Sequence, residues 1–329
     1  MTDKGIYSKL SSLIGLGNSR LIPRIWETIC SNEEARLLLA LPGTLEAIST
    51  KTGLPGETLK AMLWELFVKG VVFEREKNGA VTFNPPRNFV QFHDATILWP
   101  DAPNEFFDLW KEYMDSEYGD FLNMVNGAGI GPFMRIIPVN KTVENRQEVL
   151  PYELVAAMVD EASSLAVTDC TCRKTQKGCD APLQACIQLN RGADYALKRG
   201  TGRKISKQEA LEILRISEEA GLIHLSENKS KTGNVICNCC PCCCQALNPL
   251  LFSGIKGLTA PSRFRASADI SRCSACSLCL DRCHAGAISL SGAAVSISSD
   301  KCIGCGLCIS SCPDNALSLI EIRPPSFIP

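Results

Sequence analysis

Cysteine supplies most of the distinctive chemistry in this 329-residue chain: it has 19, and all but Cys30 lie after residue 169. Near the C-terminus, CSACSLCLDRCHAGAISL beginning at Cys273 recurs as CIGCGLCISSCPDNALSL beginning at Cys302, at a constant offset of 29 residues. Both copies read C-x2-C-x2-C-x3-C, and Ala287 matches Ala316 as Leu290 matches Leu319. Thiolates are soft ligands, and turns this short let several of them converge on one inorganic centre. The competing explanation, a disulfide scaffold, suits short exported chains. This chain is long, and MTDKGIYSKLSSLIGLG lacks the apolar core and small-residue cleavage site of a signal peptide. Metal is therefore the expected partner of these thiols.

A second set of cysteines is less regular. DCTCRKTQKGCDAPLQAC carries Cys170, Cys172, Cys179 and Cys186, and VICNCCPCCCQ carries Cys237, Cys239, Cys240, Cys242, Cys243 and Cys244. Ten thiols exceed the four that one cubane needs, so these residues are candidate ligands of a third or further iron-sulfur centre. Three consecutive cysteines diverge around the backbone, so Cys242, Cys243 and Cys244 are not all expected at one centre. Tetrahedral zinc is the competing occupant, although CxCx6Cx6C is not a zinc-ribbon spacing. Arg173 stands beside the first thiols, either as a charge partner or as a surface residue.

The C-terminal duplication resembles the two-cluster bacterial ferredoxin family over roughly residues 266–322. In that family the fourth cysteine of each run crosses to the other cluster. The resemblance thus implies two 4Fe-4S clusters, one held by Cys273, Cys276, Cys279 and Cys312, the other by Cys302, Cys305, Cys308 and Cys283. Gly304 and Gly306 would let the loop approach its cluster closely. Pro313 follows the second run as the family expects, whereas His284 replaces proline after the first and is expected as a solvent-facing neighbour. More widely, the chain resembles a family of iron-sulfur proteins from anaerobic microbes. The shared features are an N-terminal winged helix, a CxCR segment, EAGLIH and CNCCxCCC elements, and a terminal ferredoxin module.

The elements that must position these residues can be read from pattern. SNEEARLLLAL, TLEAISTKTG and PGETLKAMLWELFVKG are expected helices, with Ser31 as N-cap and Gly53 and Gly70 as stops. VVFERE and AVTFNP alternate around Asn78-Gly79 as a hairpin does. Together they predict a winged helix-turn-helix within residues 1–90. A helical connector over 91–150 carries Phe106, Phe107, Trp110, Tyr113 and Met114 at helical spacing, which is core packing rather than a pocket. Its NGAGIGP stretch follows a helical pattern and runs into Pro132, so it is a loop and not a dinucleotide fingerprint. Residues 151–265 are expected to form a mainly helical cysteine-rich domain. One helix begins near Pro151, and a helical hairpin capped by Ser206 and Glu209 brings the cysteine blocks together. Residues 266–329 complete an α+β chain with a ferredoxin-like (βαβ)2 module.

Charge and motif content exclude several functions. Net charge is -1, so there is no general attraction for nucleic acid or an anionic membrane. From Gly56 to Lys77 four basic residues are balanced by four acidic ones, so DNA contact through the winged helix is disfavoured against protein contact. No apolar run of membrane-spanning length occurs, and a cytoplasmic location is expected. P-loop, GxSxG and HExxH motifs are absent. His224 precedes the second cysteine block and is expected to be structural. The reading that follows is a multicluster electron-transfer protein, an oxidoreductase component working with a redox partner protein or a larger complex. An iron-sulfur transcription regulator and a reductase with its catalytic centre in the middle cysteines remain as alternatives.

Overall fold

A computed structural model describes residues 4–129, 131–143, 149–255 and 257–329. Ile130 of the glycine-rich stretch and residues 144–148 of the expected connector lie outside the described residues. The chain mixes helices and strands as an α+β protein and divides into two compact units. One comprises residues 1–123 with 174–176 and 199–201; the other comprises the remainder.

In the first unit α1 (Lys4–Leu13) and α2 (Ile22–Ile29) precede α3 (Asn32–Ala40), α4 (Leu45–Thr52) and α5 (Gly56–Lys69). The Ser31 hydroxyl accepts from the Glu34 N–H while the Glu34 carboxylate accepts from the Ser31 N–H, closing a capping box at α3. Gly70 ends α5 at φ +87, and a Cβ there would stand 2.6 Å from the Ala95 carbonyl oxygen. Strands β1 (Phe73–Lys77) and β2 (Ala80–Asn84) pair in antiparallel register across Asn78 and Gly79, whose φ values of +53 and +75 suit a tight hairpin. Helices α6 (Phe89–Ile97), α7 (Asn104–Ser116) and the start of α8 (Tyr118–Gly127) complete the unit. Trp26 stacks on Phe92 with ring centroids 4.2 Å apart, and Phe106, Trp110, Tyr113 and Met114 are buried. The aromatic stripe is core.

The second unit is built on a seven-stranded sheet. In chain order its elements are β3 (Met134–Ile137), α9 (Asn140–Val143), α10 (Val155–Glu161), β4 (Leu165–Asp169) and α11 (Thr171–Gln176), the last three residues of which belong to the first unit. Then come β5 (Gln184–Leu189), α12 (Arg191–Lys198), β6 (Arg203–Lys204), α13 (Lys207–Glu219), β7 (Ile223–Glu227), β8 (Val235–Cys239), α14 (Leu247–Phe252) and β9 (Thr259–Ala260). The strand order is β6-β4-β5-β8-β7-β3-β9, antiparallel at every pairing but β3 with β9. Val167, Ile187, Leu189 and Ile236 of the sheet bury against Val155, Met158, Val159 and Leu214 of α10 and α13. Each such side chain contributes about 1.5–3 kcal/mol.

That sheet corrects the expectation of a mainly helical cysteine domain. The helix expected from Pro151 stops at Glu161, and Leu165 and Ala166 already lie in β4. The two cysteine blocks meet through strand pairing rather than a helical hairpin, because β5 from the first block lies beside β8 from the second, with Ile187 opposite Ile236. α13 does form between them, with the Ser206–Glu209 capping box intact.

The C-terminal part of this unit adds β10 (Phe264–Ala268), α15 (Leu278–Asp281), β11 (Ile288–Ser291), β12 (Ala294–Ile297), α16 (Leu307–Ser310) and β13 (Leu317–Glu321). β10 pairs with β13 and β11 with β12, both antiparallel, giving strand–helix–strand twice over. Phe264, Ile288, Val295, Leu317 and Leu319 form its core together with Cys279 and Cys308.

Candidate metal centres

Two cavities open inside the duplicated segment. Cys273, Cys276, Cys279 and Cys312 line the first, along with Val295, Asp314 and Leu317. Cys283, Cys302, Cys305 and Cys308 line the second, along with His284, Gly304 and Gly306. Each quartet takes three thiols from one run and the fourth from the other. Four thiols around a void suit a cubane, which needs four thiolates. Burial pushes the Cys305 thiol up to about 12 and raises Cys308 and Cys279 as well, so a metal binding there must displace bound protons.

The backbone repeats along with the thiols. The Ala287 N–H donates to Cys283 Sγ at 3.2 Å and the Ala316 N–H to Cys312 Sγ at 3.3 Å, which gives the matched alanines a shared task. Left-handed conformations also recur at the same offset: Ala275 and Ser277 at φ +57 and +65 match Gly304 and Gly306 at +71 and +83. The first run thus holds non-glycine residues where the second has glycine, a departure as real as His284. At Gly304 the close neighbour is protein: a Cβ would meet the Phe264 carbonyl oxygen at 2.1 Å, so glycine is required for β10 to pass.

His284 is half-buried and has a protein partner. Its Nε2 lies 2.8 Å from the Gly221 carbonyl oxygen, Arg282 Nη1 donates to the Glu219 carbonyl at 3.0 Å, and Arg282 Nη2 donates to that of Glu218. The Glu218 and Glu219 carbonyls end α13 and that of Gly221 lies just beyond it, where cationic and donor groups are favoured. The residue that breaks the proline pattern fastens the repeat to the turn between α13 and β7. A second fastening is Arg263, whose side chain is 0% exposed. It meets Glu153 through Nε and Nη2 at 2.9 Å each, and Glu321 through Nη1 at 2.7 Å. No sequence pattern pointed to Arg282 or Arg263, because their partners lie 63 and 110 residues away respectively.

The ten middle cysteines separate into two sets. Cys179, Cys240, Cys242 and Cys243 bring their sulfurs within 4.8 Å of one another, the one such group of potential ligands among the described residues. The other six form a closed ring of contacts. Cys170 touches Cys172 and Cys186, Cys172 touches Cys244, Cys244 Sγ lies 3.2 Å from that of Cys239, Cys239 touches Cys237, and Cys237 touches Cys186. Contacts from Cys172 and Cys186 hold Cys170 well below the usual thiol range, and contacts from Cys172 and Cys239 do the same to Cys244. The partners Cys172, Cys186 and Cys239 are pushed up, chiefly by those same thiol contacts. Of the three consecutive cysteines, Cys244 joins the ring while Cys242 and Cys243 do not.

Local structure explains the sorting. Cys237 and Cys239 alternate with Asn238 along β8, so both project to one face. Cys170 is the N-cap of α11 and Cys172 lies in its first turn, so a helix start gathers those two. Lys177 ends α11 at φ +52, turning the chain through Gly178 to Cys179.

Arg173 is buried, not a surface residue, at 3% exposure. Burial works against its charge, but Cys170, Cys240 and Cys186 outweigh that and hold the guanidinium above its ordinary range. Its Nη1 donates to the Asn238 carbonyl at 3.0 Å, and its neighbours therefore belong to both thiol sets. Asn238 Nδ2 donates to the Ala185 carbonyl at 2.7 Å, and its Oδ1 lies 2.6 Å from His224 Nδ1. His224 Nε2 meets Glu218 Oε1 at 3.0 Å. His224 thus serves a buried network behind β8. Cys30, the isolated thiol, is buried in the first unit and raised to about 12 by that burial.

Residues 295–318 match the Fer4 family model, described as a 4Fe-4S binding domain. The match spans Cys302, Cys305, Cys308 and Cys312, and indicates at least one 4Fe-4S cluster in an iron-sulfur protein. No curated protein matches the chain, and no solved structure does. No helix among the described residues is long and apolar enough to cross a membrane.

Proposed function

We propose that the chain is a multicluster electron-transfer protein, or a subunit of a larger oxidoreductase, that passes electrons between its ferredoxin-type repeat and a partner redox protein. The observation that carries this reading is the pair of cavities, each walled by a crossed quartet of cysteines. Bound there, 4Fe-4S clusters would supply one-electron chemistry at potentials within roughly -700 to +450 mV. Cys273, Cys276, Cys279 and Cys312 hold one, and Cys302, Cys305, Cys308 and Cys283 the other. The chain's own contribution is the Ala287 and Ala316 N–H groups on the crossing thiols. The six ring thiols are read as the ligand set of an additional iron-sulfur centre, with Arg173 offsetting its negative charge.

The α3–α5 helices and the β1–β2 hairpin are read as a winged helix used for assembly. Two of its four basic side chains between Gly56 and Lys77 are already engaged, Lys60 with Glu57 at 2.8 Å and Lys69 with Glu34 at 3.0 Å. Little positive charge remains for phosphate. An anaerobic reductive titration followed by EPR tests the proposal: reducible centres whose signals vanish on adding a one-electron acceptor protein are expected, and a protein with no reducible centre would overturn it.

A further inference from the structure

The four-thiol group at Cys179, Cys240, Cys242 and Cys243 has dimensions that differ in kind from the cavities of the repeat. Cys179 Sγ lies 3.6 Å from Cys240 Sγ and 3.9 Å from Cys243 Sγ, and Cys242 Sγ lies 3.7 Å from Cys243 Sγ. A metal held tetrahedrally by four sulfurs at about 2.3 Å sets them about 3.8 Å apart, the edge of that tetrahedron. A cubane interposes four irons and four sulfides between its cysteines, which must then stand farther apart. The repeat provides the internal standard, since neither of its quartets gathers its sulfurs within 4.8 Å of one another. These separations are also far longer than the S–S bond of about 2.05 Å in a disulfide.

We propose that this group is a mononuclear tetrathiolate site for one thiophilic ion, zinc or iron, distinct from the iron-sulfur centres. It joins the turn after α11 to the CCPCC segment after β8, two stretches separated by 61 residues between Cys179 and Cys240. Packing supports a compact centre: Cys240 and Cys243 are buried together with Leu222 against Ala181, and a Cβ at Gly178 would stand 3.2 Å from Cys243 Sγ. Cys179 and Cys242 are exposed, so the ion can enter from solvent without opening the sheet. Binding draws thiol protons off to solvent as the sulfurs become thiolates, with no change in oxidation state required.

The test is metal and acid-labile sulfide analysis of the full chain, purified without oxygen, for the parent and for Cys242→Ser and Cys179→Ser. Both substitutions fall at exposed positions, and the EPR signals of the repeat report that each variant has folded. The expected result is the loss of one metal ion per chain with sulfide unchanged, the elemental analysis naming zinc or iron. Loss of about four irons together with about four sulfides would overturn the proposal in favour of a cubane. Unchanged metal in both variants would overturn it as well. Neither result bears on the two quartets of the repeat, so this proposal and the functional reading can fail separately.

Discussion

The cysteine repeat and the middle cysteine domain solve the same problem, gathering thiols, in opposite ways. In the repeat a short loop supplies three thiols of each cavity and a residue just after the other copy's helix supplies the fourth, so thiol set and local sequence almost coincide. In the middle domain no local segment supplies a whole set. Cys170, Cys172 and Cys186 join Cys237, Cys239 and Cys244 because β5 pairs with β8, and the interleaved order of β8 and the segment after it sends neighbours to different sets. A local ligand loop can be duplicated and moved between proteins, whereas a ring assembled by a sheet exists only when the sheet does.

The largest expected effect that separates the two is Cys302→Ser. It removes a thiol from one quartet only, and loss of about four irons and four sulfides per chain is expected while the middle metals stay. Loss of middle metal too would show that the regions are not independent. Next is Arg263→Met, which leaves Glu153 buried without its partner; a destabilisation of about 3–5 kcal/mol is expected, read as an earlier midpoint of denaturant-induced cluster bleaching. Arg173→Met should act on the middle domain alone. It strands the buried Asn238 carbonyl and removes the charge among the thiols, so a loss of about 1–3 kcal/mol is expected, with the EPR signals of the repeat unaltered.

Smaller effects probe where the repeat meets the sheet and where its copies differ. His284→Pro restores the family pattern but gives up the bond to the Gly221 carbonyl, so about 1 kcal/mol of stability should be lost with both clusters retained. A gain in stability would mean that the contact at Gly221 carries no weight. Ser277→Gly relieves a left-handed backbone at φ +65, and a gain of about 0.5–1 kcal/mol in the same bleaching assay is expected.

The sequence revealed what is encoded over short range. Ser31, Gly53, Gly70, Asn78-Gly79 and the Ser206–Glu209 box announce element ends through their own backbone chemistry, and the structure has them there. The grouping of the repeat's thiols was legible only through the resemblance to two-cluster ferredoxins, which implies that the fourth cysteine of each run crosses over. The sheet was hidden because its strands are short and because VICNC and QACIQL place cysteines at positions where an aliphatic residue would have marked a strand. The sorting of Cys242 and Cys243 from Cys244 depends on where the chain turns after β8, which spacing alone does not state. Arg173 was visible as a residue but not as a buried one, since its burial follows from the same sheet.

The central claim is that the repeat holds two 4Fe-4S clusters and the six-thiol ring a further iron-sulfur centre. The most direct measurement is the acid-labile sulfide content of the intact chain isolated without oxygen, expressed per polypeptide. More than about eight sulfides are expected, about four for each cluster of the repeat and the remainder in the ring. About eight would remove the cluster in the ring, and clearly fewer than eight in fully loaded protein would contradict the paired quartets themselves.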